Sequence, residues 1–141
     1  MFITNKKFIL GITVFLILAE FSYTKFIWFK SILFIDKPLH FLGGVLVASL
    51  FLYLFEARPD LFSLSQNKFV SLVMIVSFAA LIGLFWEFYE ALVEYYFFRY
   101  SDFSVFNMTP IDTLSDLFLD LLGGLSAGIL YLYSIKRAIL K

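Results

Sequence analysis

The stretch DKPLHFLGG, residues 36–44, opens a long apolar segment and returns nearly intact as DLFLDLLGG, residues 116–124. Each copy has an aspartate, then His40 or Asp120 four positions on, then two apolar residues and a glycine pair. In a helix, positions four apart stack on one face, and the glycines continue the same line one turn further in. Charge avoids lipid, and small residues let helix backbones approach closely. Both copies therefore read as the inward-facing stripe of a membrane helix, polar at one end and tightly packed beneath. The near-repeat suggests two related hairpins side by side.

Composition supports a lipid setting. The chain has 141 residues, 62% hydrophobic and 16% charged, with a mean hydropathy of +0.92. Soluble domains are about half apolar and about a quarter charged. A chain this short has too little interior to hide the excess. It contains 20 Phe, 8 Tyr and 2 Trp, side chains that suit the lipid face and the headgroup belts. Net charge is zero and no basic stripe is present, so nucleic acid is not an expected partner. The absence of Cys excludes disulfides, thiolate metal sites and cysteine nucleophiles.

Crossing a bilayer takes about 20 mostly apolar residues per helix. Four segments qualify, near residues 8–23, 38–55, 69–97 and 111–135, within one domain spanning 1–141. The first imitates a signal peptide, but no small-x-small cleavage pattern follows it, so a retained helix is expected. Residues 26–35, FIWFKSILFI, are too short to span and read as an interfacial helix, or else as an extension of the first. The expected fold is all-α: an integral membrane four-helix bundle with one additional short interfacial helix. With the N-terminus inside, Lys6, Lys7, Arg58, Lys68, Lys136, Arg137 and Lys141 fall on one side, and Lys25, Lys30, Lys37 and Arg99 on the other. That bias favours both termini cytoplasmic in a multi-pass inner or plasma membrane protein.

Alternating passes bring distant acids to one surface. Asp36 and His40 begin the second helix; Glu87, Glu90 and Glu94 end the third; Asp112, Asp116 and Asp120 begin the fourth. Glu20 lies late in the first. At 1.5 Å per residue, Asp120 sits about 13 Å below the start of its helix and Glu87 about 15 Å below the end of its own. Steps of three and four keep each set on one stripe, so all three should face the interior. Gly43, Gly44, Gly83, Gly123 and Gly124 are the expected packing positions beside them.

Buried carboxylates need protons, water or a cation. Clustered acids without thiols suit a divalent ion, with Mg2+, Mn2+ or Ca2+ favoured over Zn2+. Glu87, Glu90, Asp116 and Asp120 are the candidate ligands, and His40 the candidate general base if the protein is an enzyme. Asp36, Lys37, Glu94, Arg99 and Asp112 form the candidate rim. Simpler roles stand beside these: His40 as a hydrogen-bonded helix contact to Asp120 or Glu87, Asp112 as a helix cap after Thr109 and Pro110, and Trp86 with its tyrosines as an interface belt. No nucleophile motif, phosphate loop or dinucleotide fingerprint occurs.

At DKPLHFLGG, WEFYE and DTLSDLFLDLLGG the chain resembles small bacterial membrane proteins of the VanZ-like and YjdF-type families. The resemblance rests on Asp36, Lys37, His40 and Phe41, on Glu87 and Glu90, and on Asp112, Asp116, Asp120 and Gly123. Glu90 and Asp120 depart from the VanZ-like pattern and lean toward the YjdF side. The resemblance implies a cell-envelope membrane protein, with some VanZ-like members linked to glycopeptide resistance, and no catalytic activity to transfer.

The function expected from these residues is an acidic, His-containing cavity open to the outer leaflet that binds a divalent cation and, through it, a phosphate-bearing lipid headgroup among the membrane lipids. The alternatives are a proton or cation transporter, or a non-catalytic membrane scaffold subunit. The apolar lower half, with mainly Ser49, Ser71, Ser77 and Ser126 as polar groups, argues against a through-path.

Overall fold

The structure is a computed structural model and describes residues 2–25, 36–61, 63–98 and 109–139. The interfacial segment expected at 26–35, and Arg99, lie outside the described residues. Among the described residues, four α-helices follow in order: α1 (Lys6–Lys25), α2 (Asp36–Ala57), α3 (Lys68–Val93) and α4 (Pro110–Ile139). A π-helical turn, Glu94–Phe98, extends α3. No strand occurs among the described residues.

The helix starts follow local chemistry. Pro38 sits in the first turn of α2, where N–H groups have no helical partner to lose. At α3, the Asn67 side chain accepts hydrogen bonds from the N–H of Phe69 (2.9 Å) and of Val70 (3.4 Å). At α4, Pro110 takes the first position and the Asp112 N–H donates to the Thr109 hydroxyl at 3.2 Å. The link before α3 carries an exposed Arg58–Asp60 pair at 3.0 Å, a solvated contact of little weight.

Packing centres on α2, α3 and α4, with α2 against α4 the most extensive pair; α1 leans on α2 alone among the described helices. Gly44 and Gly123 explain the α2–α4 crossing. A β-carbon at Gly44 would collide with the Asp120 carbonyl oxygen, and one at Gly123 with the Phe41 carbonyl oxygen. A β-carbon at Gly124 would stand 2.7 Å from that of Ala79, so α3 also meets α4 closely. Away from the polar end, Ile3, Ala48, Leu52, Ile75, Ala127 and Tyr131 form an apolar core. The buried Ser49 hydroxyl donates to the Val45 carbonyl within its own helix, so it leaves nothing unsatisfied there.

The outward faces are apolar. Leu10, Phe15, Leu18, Phe69, Phe85 and Phe118 are among the large side chains left exposed. Three helical segments, Asp36–Ala57, Lys68–Phe97 and Pro110–Ile135, are long and apolar enough to cross a membrane. A patch of this extent is foreign to a monomeric soluble surface and calls for lipid as its solvent.

Because the α2–α4 approach leaves no room for a side chain, Gly123→Leu should lower stability by at least the about 1–3 kcal/mol typical of overpacking. Gly11 has open space around it, so Gly11→Ala should cause no loss. Thermal unfolding of both variants in a mild detergent checks this pair of outcomes.

Candidate functional site

The antiparallel run of the helices brings the start of α2, the end of α3 and the start of α4 to the same end of the bundle. Four of the acids expected to converge, Glu87, Glu90, Asp116 and Asp120, are buried there with His40. Asp36, Lys37 and Asp112 are part-exposed, with side-chain exposures of 20–25%, so the group grades from buried to open toward the helix starts.

Lys37 is the first organising contact. Its ammonium nitrogen donates to Asp112 Oδ1 and to Asp116 Oδ1, each at 2.7 Å. One cation thereby clamps two carboxylates a helical turn apart and ties α2 to α4. The cap at this helix start is the Thr109 hydroxyl, which accepts the Asp112 N–H, while the Asp112 carboxylate crosses to Lys37.

His40 is the second. Its Nδ1 lies 3.3 Å from Asp120 Oδ2. This is the hydrogen bond that the simpler reading of His40 anticipated, and it holds the ring between α2 and α4. The other ring nitrogen, Nε2, faces Asp36 Oδ1 at 3.8 Å and Glu87 Oε1 at 3.9 Å. Both separations exceed hydrogen-bonding range. Glu87 Oε1 is buried and accepts no hydrogen bond among the described residues. Glu90, one turn along, takes a hydrogen bond on Oε1 from the Trp86 indole N–H at 2.8 Å.

Among the described residues, two sets of side chains present ligand atoms within 4.8 Å of one another: Asp36, His40 and Asp116, and His40, Glu87 and Glu90. His40 belongs to both. Asp120 belongs to neither, and instead supports the ring from behind. A carboxylate on the far nitrogen of an imidazole is the usual means of fixing the tautomer and aim of a metal-binding histidine. Two neighbouring ligand atoms that share one small cation lie about 3.0–3.4 Å apart, given bonds of about 2.1 Å at octahedral or tetrahedral angles. The gap between His40 Nε2 and Glu87 Oε1, 3.9 Å, is about half an ångström wider than that.

The glycines shape the same place. A β-carbon at Gly83 would collide with Asp120 Oδ2, and one at Gly43 would stand 3.5 Å from Asp120 Oδ1. The Asp120 carboxylate thus occupies space that any other residue at Gly83 would take. Glu94 lies half-buried in the π-helical turn. Trp86 gains a part beyond the interface belt, and its i,i+4 spacing to Glu90 was the signal available in the sequence. The π-helical turn, which ends α3 four residues past Glu90, had no such signal.

Fold and site together define a multi-pass helical membrane protein with a buried acidic and imidazole cluster at one end of its bundle. Residues 3–137 match the family described as "Predicted membrane protein (DUF2238)", and the chain belongs to that family. No curated protein and no solved structure matches it.

The Lys37 clamp makes a testable asymmetry. Lys37→Ala strands the buried Asp116 carboxylate and should cost about 1.5–3 kcal/mol, the range for hydrogen bonds to charged groups. Asp112→Asn leaves Lys37 with Asp116 and should cost less, and Lys37→Met combined with Asp116→Asn should recover part of the loss. Unfolding midpoints of the three variants and the parent in detergent decide it.

Proposed function

We propose that this protein binds a divalent cation between His40 Nε2, Glu87 and Glu90, with Asp120 as the positioning residue behind the imidazole. The observation that carries the reading is Glu87 Oε1, a buried oxygen without a hydrogen-bond donor, aimed at a ring nitrogen 3.9 Å away. A buried acceptor left alone is costly, and a cation between the two groups would satisfy both. Asp36 and Asp116 form a separate set with His40, whose ligand atoms lie within 4.8 Å of one another around the shared imidazole. One imidazole among carboxylates shifts the preference from Ca2+ and Mg2+, which favour all-oxygen shells, toward Mn2+, Fe2+ or Zn2+. Mn2+ belongs to both the set favoured from sequence and the set favoured by the ligands.

Asp36 and the Lys37 clamp form the part-exposed side of the cluster, from which further ligands would reach such an ion. A phosphate-bearing lipid headgroup arriving from the membrane surface would offer hard oxygens there. This reading takes α1 as a fourth span, supported by the exposed Leu10, Val14, Phe15, Ile17, Leu18 and Phe21 along it. It places both termini in the cytoplasm of a plasma membrane protein, as the lysine and arginine bias favours. The likeness to VanZ-like and YjdF-type proteins supports a cell-envelope setting.

The test is thermal unfolding in detergent with EDTA and with Mn2+. The parent should gain stability with Mn2+, by about 2.7 kcal/mol at one hundred times the dissociation constant. Glu87→Gln should lose that gain and, in EDTA, remain at least as stable as the parent, because the buried charge is gone. A parent that shows no saturable Mn2+ response, or a Glu87→Gln variant that responds equally, would remove the cation from the account.

A further inference from the structure

Beside the cluster lies a cleft of about 360 Å3, at the lower end of the about 300–1,000 Å3 typical of small-molecule sites. Its ionisable lining gathers at one end: Glu20 late in α1, Asp36 and His40 at the start of α2, and Asp120, which Gly43 and Gly83 leave uncovered. These groups already have partners. Asp120 holds the His40 ring, Asp36 faces its Nε2 at 3.8 Å, and Glu20 is likewise engaged. Further along, Leu16, Leu46, Val47 and Ile82 line the cleft. Thr13, a polar residue in that apolar part, donates its hydroxyl to the Ile9 carbonyl at 2.8 Å and makes no demand on an occupant. From Asp36 to Val47 the α2 wall runs about 16 Å, at 1.5 Å per residue. One leaflet contributes about 15 Å of hydrocarbon, half of the core thickness. Ile17, Ile82 and Trp86 line the cleft and are 63%, 37% and 40% exposed, so it is continuous with the apolar outer face.

We propose that this cleft holds one hydrocarbon chain of a membrane lipid whose phosphate head sits on the cation proposed between His40, Glu87 and Glu90. The inference rests on that cation reading and adds the part of the ligand that the polar cluster cannot recognise. Two links join the cleft to the cation's ligands. His40 belongs to both, and Trp86, in the cleft wall, donates its indole N–H to Glu90 Oε1. A molecule lying in the cleft therefore has its polar end at the imidazole and its body against leucine, isoleucine and valine. The wall is as long as one leaflet is deep, so the chain keeps the depth it has in the bilayer while the head stays near the surface. The acids at the polar end repel a bare phosphate, which makes the cation the condition of binding. A free phosphate would use the cation and leave the apolar wall unfilled, whereas a lipid phosphate uses both.

The experiment uses the full chain in a neutral maltoside detergent. The probes are methyl phosphate, the head alone, and octyl phosphate, the head with a chain. Binding is read by isothermal titration calorimetry in Mn2+ and in EDTA, with titrations into protein-free micelles subtracted. In Mn2+, octyl phosphate should bind about tenfold more tightly than methyl phosphate. In EDTA neither should bind. Val47→Phe and Leu16→Phe fill the apolar part of the cleft from two different helices. Each should raise Kd for octyl phosphate about tenfold, to that of methyl phosphate. Each should also keep the Mn2+ stabilisation of the parent, which shows that the variant is folded. Equal affinities for the two probes in the parent, octyl phosphate binding unchanged by EDTA, or a chain advantage kept in both filled variants would overturn the proposal. A parent that answers to Mn2+ but binds both probes alike removes the chain and keeps the cation; a parent without a Mn2+ response removes both.

Discussion

The close crossing of α2 and α4 at Gly44 and Gly123 is the constraint on which the rest depends. With no β-carbon on either side, the backbones meet, and the Asp120 carbonyl and the Phe41 carbonyl occupy the space side chains would need. That approach sets the distance between the two polar stripes. It puts Lys37 within 2.7 Å of both Asp112 and Asp116, and His40 Nδ1 within 3.3 Å of Asp120. A wider crossing would lose all of these contacts together, because they lie on the same two helix faces within about two turns.

The cluster divides its labour among charges that look interchangeable in the sequence. Lys37 neutralises one pair of aspartates and ties two helices. Asp120 holds the imidazole from one side, which leaves the other nitrogen turned toward Glu87 and Asp36. Glu90 is shared with the Trp86 indole. Among the described residues, the one with an unmet demand is Glu87, and the demand falls on a single oxygen. Low-dielectric surroundings make that oxygen expensive to leave unpaired. A cleft of about 360 Å3 adjoins the cluster for a different reason: among the described helices α1 packs against α2 alone.

Much of this architecture was legible beforehand. The helices near 38–55, 69–97 and 111–135 correspond to the spans from Asp36, Lys68 and Pro110, because apolar length is a direct consequence of bilayer thickness. The burial of Glu87, Glu90, Asp116 and Asp120 with His40 followed from their helical spacing and from the antiparallel run of the chain. The individual pairings did not follow. Lys37 read as a rim residue, and nothing in its spacing distinguished Asp112 and Asp116 from Asp36 or Glu94 as its partners. Spacing along one helix specifies a face, whereas a salt bridge between helices depends on the rotation and depth of both.

By itself, the sequence determined that this chain seeks lipid, runs as helices and gathers acids at one end, since hydropathy and a 3.6-residue period act locally. Tertiary structure alone decided that His40 turns one nitrogen to Asp120 and the other to Glu87, that Lys37 belongs to two aspartates, and that Gly83 and Gly43 open Asp120 to a cleft. Those outcomes depend on how near the backbones come and how the helices are rotated. Both are set by the sum of many contacts across the bundle, so no single stretch of residues carries them.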